Sequence, residues 1–126
     1  MYKIILWLFF IILISTNSLA DNPVFVSSLE DSVALGESSS KPILIVFGAK
    51  WCIYCNKLKE DISNNLFNEE LKDYIICYVD IDDRKDLKKE YNVTTIPDSR
   101  ILKNKIEKSK LVGYIKPKYK KWLIDE

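Results

Sequence analysis

Hydrophobic residues along this chain change their spacing several times, and each change predicts a different element. Residues 43–47 and 75–81 are nearly continuous apolar runs, which is typical of strands buried on both faces of a parallel sheet. Between them, Cys55, Leu58 and Ile62 recur at helical spacing among polar residues. The central part of the chain therefore reads as strand, helix, strand.

Capping and turn residues predict the other elements. Ser27 or Ser28 can cap a first helix that fades over residues 36–40, and Asp82 and Asp83 can cap another that runs to about residue 91. Three further elements are a short helical turn at 68–73, a β-hairpin turning at 104–105 and a helix that follows Lys116-Pro117. This order predicts an α/β fold, with a central mixed sheet of four to five strands flanked by helices.

The first twenty residues have the pattern of a secretory signal peptide. Lys3 precedes an uninterrupted apolar run at residues 4–14, and Ser18-Leu19-Ala20 places small residues where signal peptidase cleaves. The run is shorter than the about 20 residues that a membrane-spanning helix needs. We therefore expect residues 1–20 to be a cleaved signal peptide and residues 21–126 to form one domain in the periplasm. The alternative is an uncleaved anchor that holds the domain at the membrane, facing the periplasm.

The composition of the chain indicates cysteine as the residue type that carries its chemistry. After removal of residues 1–20, which contain Lys3, the chain has 18 basic and 18 acidic residues. This balance of charge gives no reason to expect nucleic acid as a partner. Histidine is absent from the sequence, which excludes acid–base catalysis and metal sites that depend on imidazole. Three cysteines remain: Cys52, Cys55 and Cys77. Cys77 lies within the second apolar run, where we expect a buried, inert thiol.

The motif WCIYC at residues 51–55 lies where a buried strand ends and a helix begins. Amide donors and the helix dipole at that position favour a thiolate at Cys52, and Cys55, one turn further, can attack a mixed disulfide formed there. A zinc site would need two more ligands, and Cys77 alone is at hand. A purely structural disulfide is the other alternative, although such short loops tend toward reducibility. We predict a redox-active pair, with Cys52 the exposed attacker, and neither metal nor cofactor.

Several segments resemble thioredoxin-family proteins. Residues 43–57, ILIVFGAKWCIYCNK, are similar to the family's active-site strand, turn and helix. Residues 78–82 resemble its third strand, residues 95–97 (Thr-Ile-Pro) its cis-proline loop, and residues 111–113 (Leu-Val-Gly) the glycine stretch beside the active site. Residues 54–60 are most similar to bacterial periplasmic oxidoreductases of the SoxW and Dsb-related groups. The resemblance implies a thioredoxin fold over essentially all of residues 21–126.

The resemblance also implies a role for individual residues. Cys52 and Cys55 would exchange disulfides with protein substrates, and the Ile96–Pro97 peptide bond would be cis. The residues expected to line an apolar groove for an extended substrate peptide are Trp51, Ile53, Tyr54, Ile96, Pro97, Val112 and Gly113. For Trp51, packing in the core is an alternative.

Two positions depart from the family pattern. Thioredoxins usually have a buried aspartate six residues before the first cysteine, and here that residue is Val46; the lysine that partners it is replaced by Tyr78. The usual base for Cys55 is therefore missing. Because Ile53 and Tyr54 supply no histidine to stabilise the thiolate, we expect a less oxidising protein than the enzymes that introduce disulfides.

Three functions remain open on these grounds. The first is a monomeric periplasmic reductase, which would need a membrane protein as electron donor. The second is a disulfide oxidase or isomerase, and the third is a thioredoxin-fold binding module that does no catalysis.

Overall fold

The computed structural model describes residues 22–126, which form a five-stranded sheet in the order β1-β3-β2-β4-β5. The strands are β1 (Val24–Phe25), β2 (Ile43–Gly48), β3 (Ile75–Asp80), β4 (Asp98–Lys103) and β5 (Ile106–Val112). The helices are α1 (Leu29–Ser39), α2 (Ile53–Ser63), α3 (Asn68–Leu71), α4 (Lys85–Glu90) and α5 (Lys116–Asp125). Strands β1, β3 and β2 run parallel, whereas β4 is antiparallel to both β2 and β5. The predicted mixed sheet is confirmed.

Strand β2 occupies the middle of the sheet because its side chains are apolar on both faces. Ile43, Ile45 and Phe47 belong to one buried cluster, with residues of α1 and α4. Leu44 and Val46 belong to a second cluster, with residues of α2, α3 and α5. Alternate residues of a strand point to opposite faces, so one short run provides the core for two layers of helices.

Local capping is confirmed for α1 and wrong for α4. Ser28 Oγ accepts a hydrogen bond from the Asp31 amide at 3.1 Å, as expected of a helix-capping serine. Asp82 and Asp83 do not cap α4. Their amides instead donate to Asp80 Oδ1 at 2.8 and 3.4 Å, and the helix begins after Arg84 with no side-chain cap. The Asp80 carboxylate closes the turn after β3, and the helix starts one or two residues later than predicted.

The predicted hairpin turn can be compared with the structure, whereas the predicted signal peptide cannot. The hairpin turn at Asn104 and Lys105 is confirmed, and both residues have positive φ, 52° and 64°, as in a two-residue type I′ turn. The predicted signal peptide lies outside the described residues and stays a prediction. Within residues 22–126, none of the helices combines the length and apolar character needed to cross a bilayer.

Strand register brings several chain segments to one edge of the sheet. Gly48 at the end of β2 is level with Asp80 at the end of β3. Phe47 pairs with Asp98, the first residue of β4, and Asp98 pairs with Val112, the last of β5. The turn before α2, the loop before β4 and the segment after β5 therefore meet at the same edge.

Candidate active site

Cys52 is the capping residue at the amino end of α2. Its amide donates to the Ala49 carbonyl at 3.1 Å, and its carbonyl accepts from the Asn56 amide at 3.1 Å. Its Sγ accepts a hydrogen bond from the Cys55 amide at 3.2 Å. A sulfur in this position faces unpaired amides at the positive end of the helix dipole, which favours the thiolate. The predicted strand-to-helix junction is confirmed.

Cys52 and Cys55 are joined by a disulfide, with their Cα atoms 5.2 Å apart. Cys52 is 8% exposed and Cys55 is 6% exposed. The expectation of an exposed Cys52 is therefore wrong for the disulfide form, in which each sulfur covers part of the other. Gly48 lies against the pair, since a Cβ at that position would be 3.2 Å from Cys55 Sγ. The missing side chain lets β2 approach the first turn of α2.

The three other residues of the motif form an exposed apolar rim. Trp51 is 68% exposed, Ile53 79% and Tyr54 65%. The alternative that Trp51 packs in the core is therefore wrong. Its indole Nε1 donates to Asp82 Oδ2 at 2.8 Å, which holds the ring beside the disulfide. Sequence reasoning missed this role of Asp82; the one available signal was its position just after β3, at the same edge of the sheet.

The remaining predicted groove residues lie at this edge too. The Ile96–Pro97 peptide bond is cis, as expected, and the Gly113 amide donates to the Pro97 carbonyl at 2.8 Å. Gly113 has a φ of 87°, a conformation that strongly favours glycine. Val112 is 41% exposed, Pro97 is buried and Ile96 is partly buried against the cluster that includes Cys52. Contact of these residues with a bound peptide stays a prediction.

Comparison with known proteins identifies the family, because the thioredoxin family model matches residues 25–125. This chain belongs to the thioredoxin family. A thioredoxin of Mycoplasma genitalium is 29% identical over 83 residues, which cover 66% of this chain and 78% of that protein. Mitochondrial thioredoxin of Mus musculus is 31% identical over 100 residues, 79% of this chain and 55% of that protein. The chain thus spans about half the length of this mitochondrial relative.

Solved thioredoxins share the fold. A poplar thioredoxin h superposes with a TM-score of 0.69 at 21% identity, over 82% of this chain and 95% of that one. Oxidised thioredoxin from Plasmodium falciparum gives 0.66 at 18% identity, over 82% and 96%. With the family established and a Cys52–Cys55 disulfide at the start of α2, the protein is a thioredoxin-like thiol:disulfide oxidoreductase.

The departure from the thioredoxin pattern at Val46 and Tyr78 is a local feature of the sheet. The two residues are direct partners across β2 and β3. Val46 is 3% exposed, and burial raises the pKa of Tyr78 to about 12. The pair therefore supplies neither a carboxylate nor a cation on the side of the sheet that α2 covers.

The third cysteine is buried within β3, as predicted. Cys77 is fully inaccessible to solvent, and burial raises the pKa of its thiol. A thiol of this kind reacts slowly, because the thiolate is the nucleophile. Among residues 22–126, no group of three or more cysteine, aspartate or glutamate side chains is placed to hold a metal ion.

A buried ion network follows directly after Pro97, and sequence reasoning missed it. Arg100 donates from Nε to Asp98 Oδ1 at 2.9 Å and from Nη2 to Asp98 Oδ2 at 3.0 Å. The same guanidinium donates to Glu107 at 2.9 Å and to the Tyr91 carbonyl at 2.6 Å. The network fixes the beginning of β4 and hence the loop that presents Pro97.

Proposed function

We propose that this protein works in the periplasm as a reductase of disulfides in cell-envelope proteins, with a membrane protein as its electron donor. The observation that carries the exchange chemistry is the Cys52–Cys55 pair at the amino end of α2. The signal-peptide pattern of residues 1–20 supports the location, and the similarity of residues 54–60 to the SoxW and Dsb-related groups supports the subtype.

The reaction uses both cysteines in order. The Cys52 thiolate attacks one sulfur of a substrate disulfide, and the other substrate sulfur leaves as a thiol. Cys55 then attacks Cys52 Sγ, which releases the second substrate thiol and leaves the protein as the Cys52–Cys55 disulfide. Two electrons pass from the pair to the substrate, and the membrane donor restores them. The exposed rim of Trp51, Ile53 and Tyr54 would bind the apolar part of the substrate.

The reducing direction follows from how little stabilises the Cys52 thiolate. A strong oxidant of this family type depends on a stabilised reduced form. In this protein the Cys52 thiolate is stabilised by the amides of α2. The sequence contains no histidine, and Ile53 and Tyr54, which separate the cysteines, add no positive charge. We expect a midpoint potential well below about −120 mV, the value of a strongly oxidising enzyme.

Reduction of insulin in the presence of dithiothreitol tests the exchange activity. Cys52→Ser should abolish the activity, because the attacking sulfur is lost. Cys77→Ser is the matched control and should leave the activity unchanged, since Cys77 is buried in β3. Insulin reduction by the parent protein no faster than by dithiothreitol alone would instead support a binding module that does no catalysis, and full activity in Cys52→Ser would contradict attack by Cys52.

Trapping with a thiol alkylator in living cells tests direction and location. A reductase should be found mostly with the Cys52–Cys55 pair reduced, in the periplasmic fraction, and as a monomer by size-exclusion chromatography. A mostly oxidised pair would contradict the reductase assignment and favour an oxidase. Recovery with membranes, with residues 1–20 still present by mass spectrometry, would show that these residues remain as an anchor.

A further inference from the structure

A pocket of about 220 Å³ lies behind the resolving cysteine. Val46 and Tyr78 form its floor on β2 and β3, and Cys55 and Lys59 face it from α2. Exposed residues such as Asn56 complete the lining, so the pocket opens to solvent. A space of this size, with charged and amide side chains among its lining, is large enough for water. The pocket therefore connects the Cys55 side of the disulfide with solvent.

Lys59 brings a positive charge into this pocket. Cys55 and Lys59 are four residues apart on α2, a spacing that places side chains on the same helix face. Lys59 Nζ lies 5.0 Å from the centroid of the Tyr78 ring, within the range of a cation–π contact. That contact directs the ammonium toward the Tyr78 ring on β3, although Lys59 as a whole residue is exposed.

The position of this charge matters because of the residues beneath it. Tyr78 is the cross-strand partner of Val46, and these are the two positions where the sequence departs from the thioredoxin pattern. None of the ion pairs among residues 22–126 involves Lys59. Its charge is therefore not neutralised by a bound carboxylate and can act on the sulfur of Cys55.

Other charged or titratable groups face the pocket from the segments around it, except from β2, which contributes Val46 and Gly48. Lys50 comes from the turn before α2, Tyr78 from β3, and Asp80 and Asp83 from the end of β3 and the following loop. Asp80 Oδ1 is occupied by two backbone amides, and the raised pKa of Tyr78 keeps its phenol neutral below pH 10. Lys59 is the cation that shares a helix face with Cys55.

We propose that Lys59 is a positioning residue that stabilises the Cys55 thiolate when the mixed disulfide is resolved. The Cys55 thiol gives its proton to solvent through the pocket, and the thiolate attacks Cys52 Sγ. The bond between Cys52 and the substrate sulfur breaks, and that sulfur leaves as a thiolate and takes a proton from solvent. This inference rests on thiol exchange through Cys52 and Cys55 and is independent of location. The step described is the one that reduces a substrate; in the oxidising direction the same Cys55 thiolate is the leaving group.

The test isolates Cys55 in a Cys52→Ser, Cys77→Ser background and measures its alkylation by iodoacetamide from pH 5 to 10. One positive charge in the same pocket as the sulfur should raise the thiolate population by about three- to tenfold. Lys59→Met and Lys59→Gln should therefore slow alkylation at pH 7 by about three- to tenfold, with the same limiting rate at high pH. Lys59→Arg should restore the rate, because it retains the charge.

Lys57→Met is the matched control, since Lys57 is also an exposed lysine of α2 but does not line the pocket. It should leave the pH profile unchanged. Equal profiles for Lys59→Met, Lys59→Gln and the parent would overturn the proposal, as would an equal shift in Lys57→Met. Such a result would leave the exchange function intact if Cys52→Ser still abolishes insulin reduction, so the two ideas fail separately.

Discussion

Replacing Arg100 by methionine should destabilise this protein far more than replacing Arg84 by methionine, although each arginine binds two carboxylates. The Arg100 side chain is 6% exposed and the Asp98 side chain 1%. The Arg84 side chain is 34% exposed, and its partners Glu30 and Asp86 are 62% and 66% exposed. Comparing the two variants therefore tests the same type of ion pair in a buried and in a solvent-exposed environment.

The magnitude for Arg100→Met follows from what the substitution leaves behind. Asp98 would remain buried, with Lys110 Nζ at 3.7 Å as its remaining ionic neighbour. Removal of one partner from a buried ion pair typically costs about 3–5 kcal/mol. Domains of ordinary size have about 5–15 kcal/mol of stability in total, so this loss is a large part of the whole. Methionine keeps much of the apolar contact that the arginine makes between Phe47 and Tyr91, so the lost charge dominates.

Arg84→Met should leave the free energy of unfolding close to that of the parent protein. Arg84 donates hydrogen bonds to Glu30 and Asp86 at 2.6 and 2.9 Å, and its guanidinium holds the pKa of Asp86 at about 2. The geometry is good, but solvent screens both pairs and the long side chains lose rotamer freedom in forming them. Short distances alone do not make an exposed ion pair a source of stability.

Guanidinium chloride unfolding of the oxidised protein at pH 7, followed by circular dichroism, measures all three variants. The third is Arg100→Met with Asp98→Asn, which removes both charges and should be more stable than Arg100→Met alone. The reasoning is refuted if Arg100→Met and Arg84→Met unfold at the same midpoint. It is equally refuted if Asp98→Asn only adds to the loss of stability, since the buried Asp98 carboxylate without its arginine would then not be the cause of that loss.

Two smaller predictions concern the cap of α1 and the alkaline limit of stability. Ser28→Ala removes the acceptor for the Asp31 amide and should cost about 1 kcal/mol in chemical unfolding, with Ser27→Ala unchanged as control; an equal loss in both would contradict the capping role. Burial raises the pKa of Tyr78 from 10.0 to about 12. As the pH rises, the phenol therefore ionises in the unfolded chain before it ionises in the folded protein. The stability that comes from keeping the phenol neutral is complete below pH 10 and is lost by about pH 12. Tyr78→Phe should show a shallower fall in unfolding free energy over that pH window, and an unchanged slope would count against this assignment.

The elements that sequence predicted well are those in which one physical requirement dominates. Strand β2 needs apolar side chains on both faces, and no helical pattern competes with that run. The short edge strand β1 has two residues, too few to show any periodicity. The start of α4 differs from the prediction because Asp82 and Asp83 have the residue type of helix caps, and only the folded chain shows that their amides bind Asp80 and that α4 begins after Arg84 without a side-chain cap.

The residues of the active site also differ in how far the sequence could predict them. Cys52 and Cys55 were predictable because three residues of spacing and a strand-to-helix junction are local properties. The hydrogen bond from Trp51 to Asp82 joins residues 31 positions apart, and the direction of the Lys59 ammonium depends on where β3 places the Tyr78 ring. Such contacts depend on the topology of the sheet, which composition and local spacing do not specify.

The replacement of a carboxylate by Val46 has a consequence for how the rate of exchange should depend on pH. A carboxylate base beside Cys55 would add its own ionisation to the rate profile, because it must be charged to accept the proton. A neighbouring positive charge such as that of Lys59 accepts no proton from the thiol and only lowers the pH at which the thiol ionises. Resolution by Cys55 should therefore follow a single ionisation, that of the thiol itself. A second ionisation below it would place the missing base elsewhere in the pocket, with Asp80 and Asp83 as the carboxylates that line it.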